Sequence, residues 1–127
     1  VASAGSCIFM WGGETGLNHD DLAWLISAVT GVEVDGDSLL KVGERIFTVE
    51  RAFNVRLGLR RKDDTMQERF FVEKDTPYGR TGLNKAKFIA MLDEYYKFRG
   101  WDNEGVPTKK KLEELNLGYI AEQIGAV

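Results

Sequence analysis

Apolar residues recur at helical spacing in two long stretches, and glycines sit at the joints. From Asp20 to Val29, the side chains of Leu22, Leu25, Ile26 and Val29 fall three and four residues apart, which predicts an amphipathic helix. Asn18 is placed to cap it, Asp20 and Asp21 put negative charge in its first turn, and Gly31 suits its C-terminal stop. The second stretch is longer. Leu39, Val42, Ile46, Val49 and Phe53 step by 3, 4, 3 and 4 residues, with Leu40 and Phe47 widening the stripe. Lys41, Glu44, Arg45, Thr48 and Arg51 lie outside its centre. This pattern predicts a core helix of about five turns, capped by Asp37 or Ser38 and ending near Leu57-Gly58. Gly43 inside it costs ~1 kcal/mol relative to alanine, so a close helix contact or a cofactor approach is expected there.

The remaining elements are shorter. Thr65 and Glu68 form a capping-box pattern for a turn of helix anchored by Phe70 and Phe71. Residues 73–83 are polar and contain Pro77, Gly79 and Gly82, as a surface loop does. Asn84 caps a helix carrying Phe88, Leu92, Tyr95 and Tyr96, which stops at Gly100 with Trp101 folded back over its end. Thr108 caps a further helix through Leu112 and Leu115, and a short apolar helix, Tyr119 to Ile124, follows Gly118. Val32-Glu33-Val34 and Phe71-Val72 are strand-like but too short for a sheet. The expected fold is all-α, an irregular multi-helix domain over residues 1–127, with 1–17 as a leading loop and 18–127 as the helical body.

Composition narrows the partners. The chain has 127 residues, 43% hydrophobic and 29% charged, with a net charge of −3. That is an ordinary single-domain composition, without the basic face a nucleic-acid binder needs. Arg60-Arg61-Lys62 and Lys109-Lys110-Lys111 each sit beside acids and read as solvated, self-compensated surface. No apolar run approaches the ~20 residues of a membrane span, and no signal-peptide pattern opens the chain. It begins at Val1, as a piece cut from a longer protein would. One cysteine and one histidine suit a reducing, cytoplasmic setting.

Few residues can carry chemistry. His19, on a helix N-terminus beside two aspartates, reads as a surface or capping residue. Gly12-Gly13-Glu14-Thr15-Gly16 lacks the lysine and hydroxyl residue of a phosphate loop. Trp24, Phe47, Phe53, Phe88, Tyr95 and Tyr96 fall at helical spacing and are expected in the core, whereas Trp11 could line a cofactor or a domain interface. Cys7 has two readings: a small buried hydrophobe, or one donated ligand of a larger site. Gly5 would let a bulky group approach the backbone, and Ser3 and Ser6 add small donors suited to anionic sulfur or phosphate.

The run Leu40-Lys41-Val42-Gly43-Glu44-Arg45-Ile46-Phe47, continuing from Glu50 through Leu59, resembles the C-terminal region of tungsten-dependent aldehyde:ferredoxin oxidoreductases. So do Arg61-Lys62-Asp63-Asp64-Thr65, Glu68-Arg69-Phe70, Leu92-Asp93-Glu94-Tyr95-Tyr96, Arg99-Gly100-Trp101-Asp102, Gly105-Val106-Pro107-Thr108 and Leu112-Glu113-Glu114-Leu115. In that family an upstream Cys-x-x-Cys-x-x-x-Cys run supplies three ligands of a [4Fe–4S] cluster, and an Asp-x-x-Gly-Leu-Cys motif supplies the fourth. Gly5 and Cys7 match this motif. The resemblance therefore implies Cys7 as the fourth cluster ligand, with Ala2, Gly5 and Ser6 beside the pterin of a tungsten or molybdenum bis-pterin cofactor, and 1–17 as a cofactor-facing loop. Ala2 stands where the motif has its pterin-contacting aspartate, Ser6 where leucine is common, and Gln67 where proline is frequent.

The implied enzyme oxidises an aldehyde with water to a carboxylate and passes electrons through the cluster to ferredoxin. Its partners would be the upstream domains of the same polypeptide, ferredoxin and the aldehyde, and a homo-oligomer is compatible with the pattern. The chain alone should be inactive, without bound iron, and should expose apolar surface that its parent covers. The rival reading is a non-catalytic helical interaction module with a structural cysteine. A helical DNA-binding domain is disfavoured by the acidic balance.

Overall fold

The computed structural model describes residues 1–11, 16–73 and 82–126. Most of the Gly12–Gly16 run, together with Pro77 and Gly79 of the polar loop, lies outside the described residues. Among those described the architecture is all-α, and the sole extended pairing is an isolated bridge between Trp101 and Pro107. The helices are α1 (His19–Thr30), α2 (Gly36–Arg56), α3 (Arg69–Val72), α4 (Lys85–Arg99), α5 (Lys109–Glu114) and α6 (Ala121–Ile124). The chain divides into two compact units, residues 1–48 and 49–127.

In the first unit, α1 is capped as its sequence predicts. The Asn18 side chain accepts from the Asp20 and Asp21 amides, Asp21 returns a bond to the Asn18 amide, and Gly31 closes the helix at φ 72°. Leu22 and Ala23 are buried, but Trp24 is 72% exposed and Val29 is exposed, so the α1 stripe is only partly covered. The Ser27 hydroxyl, bonded to both the amide and the carbonyl of Val34, pins the connection to α2. The cap of α2 is Asp35, not Asp37 or Ser38: its carboxylate accepts from the Ser38 amide and its carbonyl from the Leu39 amide. The hydrogen bonds from Ser38, its amide first and then its side chain, favour the ionised form and hold the Asp35 carboxyl below its usual value.

α2 departs most from expectation. Its apolar stripe is not the core face: Val42, Val49 and Phe53 are exposed, as are the flanking Leu40 and Phe47. The helix instead buries Thr48 at 0%, Arg51 at 8%, Ala52 and Val55. These residues stand at i, i+3, i+4 and i+7, a helical face as regular as the first. The polar members made it invisible to a hydrophobicity count. Gly43 has no atom within 4 Å of the position a Cβ would occupy, so the close approach expected there is absent among the described residues.

The second unit holds a compact apolar core. Leu112, Leu115 and Leu117 lie at its centre, with Ala52 and Val55 from α2 and Ile120 and Ile124 from the C-terminal turns. Each fully buried leucine contributes about 1.5–3 kcal/mol. Thr108 caps α5 through the Lys111 amide, Asn84 caps α4 through the Lys87 amide, and Gly100 ends α4 at φ 68°. Trp101 is buried and bonds back to the Tyr96 carbonyl, as expected. Thr65 and Glu68 do not form a capping box: α3 starts at Arg69 without a side-chain cap, and the Thr65 hydroxyl turns to the Met66 carbonyl. Phe71 meets Phe88 edge to face at 5.5 Å, whereas Phe70 is exposed.

Candidate functional site

The four residues nominated by the sequence share one short loop of the first unit. Ala2 opens a single 3-10 turn, Ala2–Ala4, which closes on the Gly5 amide at 2.9 Å from the Ala2 carbonyl. Gly5 has φ 74°, a left-handed conformation that side chains disfavour, and no atom stands within 4 Å of its absent Cβ. The Ser6 hydroxyl accepts a 2.6 Å bond from the indole nitrogen of Trp11. Trp11, half buried, thus braces the loop from its far end. Cys7 follows in extended conformation (φ −72°, ψ 129°) ahead of a second 3-10 turn, Ile8–Met10, and its thiol is exposed and not in a disulfide. This position does not suit the buried-hydrophobe reading of the cysteine. Among the described residues no group of three or more His, Cys, Asp and Glu is placed to hold a metal ion. His19 is half exposed, 3.8 Å from Asp20, as a capping-region residue would be.

A second constellation, in the other unit, was missed at the sequence level. Arg51 donates from Nη1 and Nη2 to the two carboxylate oxygens of Asp64 at 2.8 and 2.6 Å, and from Nε to the Gly105 carbonyl at 2.8 Å. The Tyr96 hydroxyl donates to the same Asp64 carboxylate. The guanidinium lies over the Trp101 ring, 4.7 Å from its centroid. Fork geometry of this kind satisfies a buried arginine where a lysine would leave directions open. The turn at 102–106 presents the Gly105 carbonyl because Asp102 accepts from the Glu104 and Val106 amides. Gly105 has φ 75°, and a Cβ there would strike Arg51 and the Tyr96 hydroxyl.

The electrostatics follow from this geometry. Burial opposes ionisation of Asp64, but the bonds from Arg51 and Tyr96 and the charges of Arg51 and Arg61 outweigh it, so its carboxyl is held below the usual value. Burial, then the bond and charge of Asp64, push Tyr96 up to about 12. Arg51 is likewise opposed by burial and sustained by Asp64, which holds it above its ordinary value. Every group stays in the protonation state that its partners need across the neutral range.

The neighbouring basic run is therefore not simply solvated surface. Arg60 donates to the Val55 and Leu59 carbonyls near the end of α2, and Arg61 pairs with Asp93 at 2.6 Å. Arg61, Lys62, Asp64, Phe71 and Phe88 help to line a cleft of about 350 Å³. Lys111, paired with Glu114 at 3.1 Å, keeps to the self-compensated reading. The one signal in the sequence that could have found the cluster is the i, i+3, i+4, i+7 register of Thr48, Arg51, Ala52 and Val55.

Comparison with known proteins fits the order of these elements. A family model described as aldehyde ferredoxin oxidoreductase, domains 2 and 3, matches residues 1–117, a span that includes both the Cys7 loop and the Arg51 cluster. The tungsten-containing aldehyde ferredoxin oxidoreductase of Pyrococcus furiosus is 40% identical over 118 residues, and that of Pyrococcus horikoshii 39%. Each alignment covers 92% of this chain but 19% of the relative, so the chain spans about a fifth of the length of these proteins. Among solved structures, the active-site complex BamBC of benzoyl coenzyme A reductase, in complex with 1,5-dienoyl-CoA, is similar with a TM-score of 0.70. It is 31% identical, over 87% of this chain and 16% of that one. The extent of the family match and these identities show that the chain belongs to the aldehyde ferredoxin oxidoreductase family.

Proposed function

We propose that this chain is the C-terminal region of a tungsten-dependent aldehyde:ferredoxin oxidoreductase and that Cys7 is the fourth cysteine ligand of its [4Fe–4S] cluster. The observation that carries the reading is the exposed Cys7 thiol, set in a loop opened by Gly5 and braced by Trp11, inside a region that the family model matches. One thiolate suits iron–sulfur iron, and among the described residues no cluster of metal-ligating side chains accompanies it, which fits a site whose other ligands lie upstream. When bound, a tungsten or molybdenum bis-pterin and the cluster would supply the redox chemistry: aldehyde and water would give carboxylate, protons and two electrons, the electrons leaving singly by way of the cluster to ferredoxin.

The residues of this chain have the supporting roles. Cys7 ligates one iron and so ties the helical region to the cofactor domain. The left-handed turn at Gly5 presents the backbone without a side chain in the way. Ser6 accepts from Trp11, which leaves its own O–H able to donate to a bound group. Hydrogen bonds of this type tune cluster potential. Ala2 brings only a methyl group, so the pterin loses one polar contact relative to the family motif. A reducing, cytoplasmic compartment suits an exposed single thiol.

The test is the full-length protein prepared anaerobically. It should carry iron, sulfide and tungsten or molybdenum, and should reduce ferredoxin when given an aldehyde. An upstream sequence without the Cys-x-x-Cys-x-x-x-Cys run, or a protein that binds no cluster, would overturn the reading.

A further inference from the structure

The end of α2 and the residue that follows it carry an exposed apolar row, Val49, Phe53 and Leu57, at i, i+4 and i+8. Phe53 is 61% exposed, and Tyr119, across a small groove, is 71% exposed. The groove encloses about 210 Å³, with Ala52, Ile120 and Ile124 of the buried core as its floor. Arg56 and Gln123, which share a 3.4 Å bond, supply its polar rim. Because the opposite face of the same turns already buries Arg51 and Val55, this stretch of helix is built to be covered on both sides.

We propose that this groove seats one bulky apolar side chain, aromatic or branched aliphatic, from the remainder of the same polypeptide. Its size sets the occupant. A cavity of roughly 150 Å³ already accommodates a benzene ring, whereas small-molecule pockets run to about 300–1,000 Å³. The groove is right for a single side chain and too small for a cofactor. The remainder of the polypeptide is the occupant because the relatives extend this chain about fivefold, since it spans only 19% of their length. A surface left open by one piece of such a protein is covered by the rest. The inference rests on the reading of the chain as part of a longer oxidoreductase, but not on the ligand role of Cys7.

Hydroxyl-radical footprinting of the full-length protein, read residue by residue by mass spectrometry, tests it. Phe53 and Tyr119 should be oxidised about tenfold or more slowly in the native protein than in denaturant. They should stay protected on dilution to the monomer, and in Phe53→Leu the remaining reporter, Tyr119, should stay protected. Ready oxidation of both residues in the native protein would overturn the proposal, as would protection that vanishes on dilution, which would assign the groove to a second copy of the chain. Visible absorption of the cluster in the same sample reports separately on the proposed function: a protein without a cluster but with a protected groove would refute that reading and leave this one standing.

Discussion

The Cys7 loop and the Arg51 cluster are opposites. The cluster is chemically complete within its own unit: guanidinium, carboxylate, phenol and carbonyl satisfy one another, and an indole ring covers them. The loop is held by short local bonds, and it exposes a thiol together with an open glycine. Ions that look reactive are thus spent on holding the fold, while in the proposed reading an inconspicuous Gly-Ser-Cys turn is the part that a cofactor engages. Partnering, more than charge or residue type, separates architecture from function in this chain.

The contrast can be broken most forcefully at Arg51. Arg51→Met leaves the Asp64 carboxylate half buried without its main partner and should cost about 3–5 kcal/mol, read from the midpoint of urea unfolding. Cys7→Ser in the same chain should change stability by less than about 0.5 kcal/mol, because the thiol is exposed. Similar losses for the two variants would erase the distinction between the regions.

The pH dependence of stability sharpens it. The carboxyl of Asp64 is depressed below its ordinary 3.8 in the folded state, so its contribution is complete above that value and is lost as pH falls through the lower, folded value. Tyr96 has the opposite sign. Raised from 10.0 to about 12, it contributes fully below its ordinary value, and the contribution fades as pH rises toward about 12. Unfolding midpoints measured across the acid range should fall less steeply in Asp64→Asn than in the parent. Parallel acid limbs would mean that Asp64 carries no linkage.

The smallest effect is a gain. Gly43 sits in the α2 interior with open space where a Cβ would stand, so Gly43→Ala should stabilise the chain by about 1 kcal/mol in the same urea measurement. A loss would show that something approaches that position closely after all.

Local signals carried much of this fold. Asn18, Asn84 and Thr108 cap the helices they precede, and Gly31 and Gly100 end theirs, because caps depend on a few neighbouring atoms. The buried face of α2 was hidden for a physical reason: it includes the polar Thr48 and Arg51, and the burial of Arg51 depends on Asp64 and Gly105 further along the chain. The apolar stripe was read correctly as a pattern but not as a core, and Trp24, Phe47 and Phe53 are exposed with it. The candidate site was legible only as a motif. The resemblance to the family's Asp-x-x-Gly-Leu-Cys motif implies Ala2, Gly5, Ser6 and Cys7, but the bond from Trp11 to Ser6 requires a fold-back of the loop that no motif shows.

The most direct test of the central claim is the cluster content of Cys7→Ser in the full-length protein, purified anaerobically beside the parent and compared by iron and sulfide analysis and electron paramagnetic resonance. The account predicts that the variant stays folded and helical, but its [4Fe–4S] signal is lost or converted to that of an iron-depleted cluster. An intact cluster with the iron and sulfide content of the parent would contradict it.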